Sequence, residues 1–224
     1  MDQPVQEHVL VIANGEPPSR ALARRLARET GFVVAADGGA NTARRYGIHA
    51  DLIIGDLDSI SPDTKRHFAS STLLKVTRQD NTDLEKALDF LSAHGTRKAT
   101  IVGITGNRID FTLGNLAVLW NYTAFLSLVV VGDGWYIVPV GREQQHRAKV
   151  GTTVSLIPFG PCEGITLRGL RYPLNNADMK IGEIGVSNVV ESSPFTVRVK
   201  KGKMMMVVFS AAPRESGSLP DKQT

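Results

Sequence analysis

Short apolar runs recur through the first 131 residues, and their spacing restricts the fold more than any other feature. The runs are HVLVIA (8–13), FVVAA (32–36), DLIIG (51–55), TLLKV (72–76), ATIVG (99–103) and SLVVV (127–131). Each has the length of a strand and is too short for a globular helix. Between them lie stretches with helical spacing. Leu22, Ala23, Leu26 and Ala27 share one helical face, with Ser19 placed to cap its start and Gly31 its end. Residues 82–93 give the clearest case: Leu84, Ala87, Leu88 and Leu91 follow the i, i+3, i+4, i+7 rule, and Thr82 and Glu85 stand as a capping box. Strands that alternate with helices predict an α/β fold, a mostly parallel sheet with helices on both faces.

The texture changes after about residue 140. Helical periodicity fades, Gly and Pro recur, and TVSLIPF, GITL, FTVRV and MMMVVFS read as short strands between turns. The expected organisation is an α/β domain over 1–141, an all-β domain over 142–212 and a disordered tail over 213–224. Lys200-Lys201-Gly202-Lys203 reads as a solvated hairpin turn, and Met204-Met205-Met206 as part of a strand.

Composition narrows the function classes. Hydrophobic residues make up 42% and charged residues 21%, which suits a packed core. No apolar run approaches the roughly 20 residues of a membrane helix, and the polar, acidic start does not read as a secretory signal. Cys162 is the single cysteine, so no internal disulfide can form, which fits a cytoplasmic setting. The net charge is +4, but the excess lies in the C-terminal third and no recognition helix accompanies it, so nucleic acid is not the expected partner. The histidines at 8, 49, 67, 94 and 146 lack metal-binding spacing.

In an open α/β sheet, ligands gather beyond the carboxyl ends of the strands. Four of those ends are acidic: Asp37-Gly38-Gly39-Ala40-Asn41, Asp56-Leu57-Asp58-Ser59, Gln79-Asp80-Asn81-Thr82-Asp83, and the stretch from Thr105-Gly106 to Arg108 and Asp110. A lone aspartate at a strand end is ordinarily a turn former or a helix cap; four on one edge predict a shared cation. Carboxylates without His or Cys partners favour Mg2+ over zinc. The adjoining glycines allow close backbone approach to phosphate oxygens, and Arg108 offers a two-pronged contact. Neither a P-loop nor a G-x-G-x-x-G turn is present.

Taken in order, ADGGAN (36–41), GDLDSI (55–60), DNTDLEKAL (80–88), GITGNRIDFTLGN (103–115), VSLIPF (154–159), GLRYPL (169–174) and VSN (186–188) resemble the thiamin pyrophosphokinase family over roughly residues 9–209. The resemblance implies Mg-dependent transfer of the diphosphoryl group from ATP to the hydroxyl of thiamin, giving thiamin diphosphate and AMP. It also implies a C-terminal β-sandwich and a homodimer whose thiamin site lies between subunits. By resemblance, Asp56, Asp58 and Asp80 would hold the metal, and Asp56, Asp58, Asp80, Asp83, Arg108 and Asp110 would form the catalytic group. Asp37, Gly38, Asn41, Gln79, Thr82, Thr105, Gly106 and Arg108 would surround the nucleotide, and Ser187 and Asn188 would shape the thiamin pocket. Tyr172 and Trp135 are candidate stacking surfaces for a flat cationic ring.

The chain departs from the family pattern at Asn107, where a glycine is usual, at Phe111, where a histidine is usual, and at Val189, where an acidic residue is common. Two rival readings keep the acidic loops: a diphosphokinase acting on a pterin alcohol, and a non-catalytic nucleotide- or thiamin-binding protein.

Overall fold

The computed structural model describes residues 6–209 except 79, 107 and 184. The expected tail and Gln79 and Asn107 therefore lie outside the described residues. The chain divides into two compact units after Asp133. This point precedes the change of texture near residue 140, because the next strands pair with the late part of the chain.

The first unit runs β1 (His8–Ile12), α1 (Arg20–Thr30), β2 (Val33–Ala36), α2 (Gly39–Tyr46), β3 (Leu52–Gly55), α3 (Pro62–His67), β4 (Thr72–Lys75), α4 (Asp83–Ala93), β5 (Lys98–Val102), α5 (Ile109–Val118) and β6 (Ser127–Gly132). The strands form a parallel sheet in the order β6-β5-β1-β2-β3-β4. Val9, Leu10 and Val11 of β1 and Val34, Ala35 and Ile53 beside them are fully buried. That is why these strands read as continuous apolar runs rather than alternating ones. Each such Val, Leu or Ile contributes roughly 1.5–3 kcal/mol by leaving water.

The helix signals act where the sequence places them. The Ser19 side chain accepts from the Leu22 amide, and Gly31 closes α1 with φ 72°. Both halves of the Thr82–Glu85 capping box form. Chain order matters most at the centre of the sheet. The chain walks outward from β1 to β4, then returns to the other side of β1 with β5. The loops after β1 and β5 thus diverge at a topological switch point, where an open α/β sheet leaves a crevice. α5 is unusual: none of its residues is buried, and Ile109, Phe111 and Leu113 are 66%, 49% and 58% exposed.

The second unit contains β7 (Trp135–Pro139), β8 (Glu143–His146), β9 (Thr153–Pro158), β10 (Cys162–Arg168), β11 (Leu174–Met179), β12 (Asn188–Val189), β13 (Phe195–Arg198) and β14 (Met204–Phe209). Two antiparallel sheets result, β12-β9-β14-β7 and β11-β10-β13-β8. The all-β expectation for this part holds. The lysine-rich stretch 200–203 does not make a hairpin, however. It leaves β13 in one sheet and enters β14 in the other, with Lys200 donating to Asn176 and Lys201 to Glu163. A Lys-Gly turn signal marks a change of direction without saying which strands will pair.

Candidate active site

Three carboxylates meet at the carboxyl edge of β2 and β3. Asp37, Asp56 and Asp58 each present an oxygen, and these oxygens lie within 4.8 Å of one another. Asp37 follows β2 directly and is 2% exposed. Its backbone sits at φ 42°, a region that non-glycine residues seldom occupy, and its amide donates to the Ile54 carbonyl at 2.8 Å. The Asp37 Oδ1 is buried and lacks a hydrogen-bond partner among the described residues. Burial pushes the Asp37 carboxyl above its ordinary range against a hydrogen bond from Ser59, and the nearby carboxylates of Asp83 and Asp56 push it the same way. A carboxylate with a buried, orphaned oxygen that meets two further carboxylates is what a hard divalent cation relieves, so these residues fit magnesium.

Asp83 opens α4 and lines the same pocket as Asp37. The two are close because β3 ends in glycine: a Cβ on Gly55 would stand 2.8 Å from the Asp37 Cβ and 3.0 Å from the Asp83 Oδ1. The pocket measures about 690 Å³, large enough for a nucleotide-sized ligand. Asn14, Gly15 and Glu16 supply one wall and Thr105, Gly106 and Arg108 another, from the two sides of the switch point. Their loops are fastened together by Gly15 N–H to the Gly103 carbonyl at 2.7 Å and Glu16 N–H to the Thr105 carbonyl at 2.6 Å. A side chain at Gly15 would run into both carbonyls, at 2.5 and 2.4 Å.

The other expected residues divide into those the pocket includes and those held elsewhere. Thr82, Thr105, Gly106 and Arg108 line it, and Gly38 leads into α2 beside Asn14. Asn41 is occupied in structure: its amide nitrogen donates to the Ser59 carbonyl at 2.8 Å and its oxygen accepts from the Ser61 amide at 3.1 Å. It steadies the loop that carries Asp56 and Asp58. Asp80 is exposed and paired with Arg78 at 2.7 Å; it is not among the three clustered carboxylates. Asp110 makes two hydrogen bonds with Arg108, at 2.9 and 2.6 Å, and that guanidinium holds its carboxyl down to about 2. Arg108 also lies 4.5 Å over the Phe111 ring.

In the second unit, Asn188 is buried and its side-chain amide is engaged at both its oxygen and its nitrogen. It accepts from the Tyr172 amide at 3.0 Å and donates to the Tyr172 carbonyl at 2.9 Å. Asn188 therefore shapes the 169–174 turn and leaves Tyr172 64% exposed. Ser187 has φ 62°, and its amide donates to the Ser155 hydroxyl at 3.1 Å.

Sequence reasoning missed Asn14, Gly15, Glu16 and Asn115. The strand-end rule applied to β1 would have found the first three; Asn115, which donates to the Ile104 carbonyl from α5, carries no such signal.

A parallel sheet with a carboxylate cluster and an arginine beside a deep crevice at its switch point defines an enzyme of the nucleotide-dependent phosphoryl-transfer class. Comparison with known proteins specifies it. Residues 23–130 match the family model of the thiamin pyrophosphokinase catalytic domain, and residues 140–204 that of the thiamin pyrophosphokinase vitamin B1 binding domain. The chain is 30% identical over 197 residues to thiamine pyrophosphokinase 1 of Oryza sativa subsp. japonica, covering 74% of each chain. It is 29% identical over 182 residues to the thiamine pyrophosphokinase of Bacillus subtilis (strain 168), covering 78% of this chain and 85% of that one. The crystal structure of thiamine pyrophosphokinase from Bacillus subtilis superposes with a TM-score of 0.80 at 26% identity, over 91% of this chain and 99% of the other. The chain belongs to the thiamin pyrophosphokinase family.

Proposed function

We propose that this protein transfers the diphosphoryl group of ATP to the hydroxyl of thiamin, releasing AMP and thiamin diphosphate. The observation that carries the reading is the Asp37–Asp56–Asp58 cluster beside the switch-point pocket, in a chain matching both family models. The thiamin hydroxyl oxygen forms a bond to the β-phosphorus as the bond from that phosphorus to the bridging oxygen breaks. AMP departs with the bridging oxygen, and the hydroxyl proton passes to a carboxylate or water.

Asp56 and Asp58 hold magnesium in this reading, with Asp37 as the third oxygen donor in place of the exposed Asp80. Bound there, the ion neutralises charge that builds on the phosphates. The residues of the chain bind and orient. Backbone amides of the loop after β5 and the start of α2 face the phosphates. Arg108 grips phosphate oxygens once its bond to Asp110 opens. Thr82, Thr105, Gly106 and Gly38 close around the nucleotide. Asp80 and Asp110 are weak candidates for the base because each is already held by an arginine. Alignment in a closed crevice supplies more of the rate than proton removal does.

The assignment extends to organisation: residues 1–141 as the catalytic, nucleotide-binding part, and 142–212 as the thiamin-binding and dimerisation part. Ser187 and the turn shaped by Asn188 border the thiamin. A homodimer with its thiamin site at the subunit interface is supported by the uncovered apolar side of α5. Cytoplasmic residence fits the single cysteine; among the described residues no helix is long and apolar enough to cross a membrane.

Incubation with magnesium, ATP and thiamin, with products weighed by mass spectrometry, tests the reading. AMP and thiamin diphosphate in equal amounts are expected. AMP release only with a pterin alcohol would move the chain to another acceptor, and a nucleotide that binds without turnover would make it a binding protein.

A further inference from the structure

Lys86 is almost completely buried, with its side chain 3% exposed, yet it lies one helical turn from the pocket. Its Nζ donates to the Asp83 Oδ1 at 2.8 Å, and among the described residues that is its one acceptor. Lys86 does not itself line the pocket, whereas Asp83 does. α4 packs this part of the chain against β2 and β3, the strands that deliver Asp37 and Asp56. An ammonium taken out of water is costly unless a partner compensates it, and removal of that partner leaves a buried charge unpaired. A position on a packed helix face is ordinarily apolar; this one holds a lysine whose ammonium meets Asp83.

The geometry points to Lys86 as a positioning residue for the transfer reaction, a buried cation that fixes the Asp83 carboxylate at the pocket wall and offsets its charge beside Asp37. This rests on the reading given above. Two consequences separate it from a plain stabilising ion pair. The charge of Lys86 keeps Asp83 from adding a further uncompensated negative charge to a wall that must accept a polyphosphate, so nucleotide affinity should follow the charge at 86. The reach of the lysine sets where the carboxylate stands, so turnover should follow its shape.

The test is a double-mutant cycle on the full chain with Lys86→Met, Asp83→Asn and the combination, together with Lys86→Arg. One readout is calorimetric binding of α,β-methylene-ATP with magnesium, a probe whose bridging bond cannot break. The other is kcat and thiamin KM from AMP release, with melting temperatures checking the fold. Lys86→Met is expected to weaken probe binding about tenfold, most of all at low magnesium, and to lower kcat by about tenfold or more with thiamin KM nearly unchanged. The combined variant is expected to be no worse than Asp83→Asn, since coupled neighbours do not add. Lys86→Arg should keep most of the probe affinity and still lose turnover. Effects of Lys86→Met and Asp83→Asn that multiply independently would overturn the inference. So would a Lys86→Met enzyme that only melts earlier, with affinity and kcat intact. If Lys86→Met does not fold, Lys86→Arg decides: unchanged kcat overturns the inference. If the parent enzyme transfers no diphosphoryl group, the proposed function fails, and the binding cycle still reports whether Lys86 acts through Asp83.

Discussion

Asp37 carries three burdens at once: a positive φ of 42°, burial and the proximity of two other carboxylates. Each weighs against the folded state without a cation. The sign comes from its raised pKa. A carboxyl that is harder to ionise when folded destabilises the fold as pH rises past the ordinary aspartate range. Asn tolerates positive φ better than most residues and carries no charge. Asp37→Asn should therefore raise the melting temperature of the metal-free protein by a few degrees at pH 7, with the gain shrinking as pH falls toward 4, while diphosphoryl transfer drops by about 10²-fold or more. Calorimetric melts across pH and an AMP-release assay check both halves. Asp56→Asn should cost a similar factor in rate even at saturating magnesium. Asp37, Asp56 and Asp58 were legible because a parallel sheet gathers the loops at its carboxyl edge. Lys86 was not, since a lysine in a helix ordinarily reads as a solvated residue. Asn188 was legible as important, but its role in holding the Tyr172 backbone depends on which turn folds back onto it.

At the scale of elements, α4 joins stability to chemistry. Thr82 caps it, Glu85 completes the box, and Asp83 is its first residue. Thr82→Ala should destabilise the protein by about 1 kcal/mol through the lost cap. It should also lower kcat several-fold by loosening Asp83, whereas an exposed mid-helix change such as Asp89→Ala, on the Tyr122 side of the helix, should leave kcat much closer to normal. Stopped-assay kinetics beside thermal melts would show the difference. β1 makes a separate prediction. His8 bonds to the Thr100 hydroxyl at 2.9 Å, and burial, with Lys98 alongside, lowers its pKa to about 4. Between that value and its ordinary 6.5 the unfolded chain binds the extra proton, so stability falls as pH drops through this window. His8→Gln should flatten that part of the stability curve, read by urea melts from pH 7 to 4. The strands β1, β2, β3, β5 and β6 were legible because burial on both faces demands unbroken apolar runs; β4 (TLLK) is an exposed edge strand, legible only from its two central leucines. β8 (EQQH), β11 (LNNADM) and the two-residue β12 were not, because polar sequences become strands only when neighbours pair with them.

At the scale of the whole molecule, the two units are strung along the chain in different ways. The first closes its sheet from consecutive segments that end with β6. In the second, β14 comes last among the described strands yet lies between β9 and β7, with six partner positions on one side and five on the other. A charge in its buried row, as in Met206→Lys, should disrupt that sheet while the α/β unit keeps its own; amide exchange resolved by segment would show protection lost in β7 and β9 and retained in β1, β2 and β5. The fold class was legible at this scale, but the order of strands was not, since nothing in MMMVVF says which neighbours it will join.

That arrangement matters while the protein is being made. A ribosome releases the α/β segment complete, so it can fold while translation continues. The strands from β7 onward must wait, with one edge each of β7 and β9 open, until Met204–Phe209 leaves the exit tunnel to fill the gap. Synthesis that stalls before Met204–Phe209 emerges would leave a nascent chain with its α/β sheet formed but its β-rich half still open to aggregation.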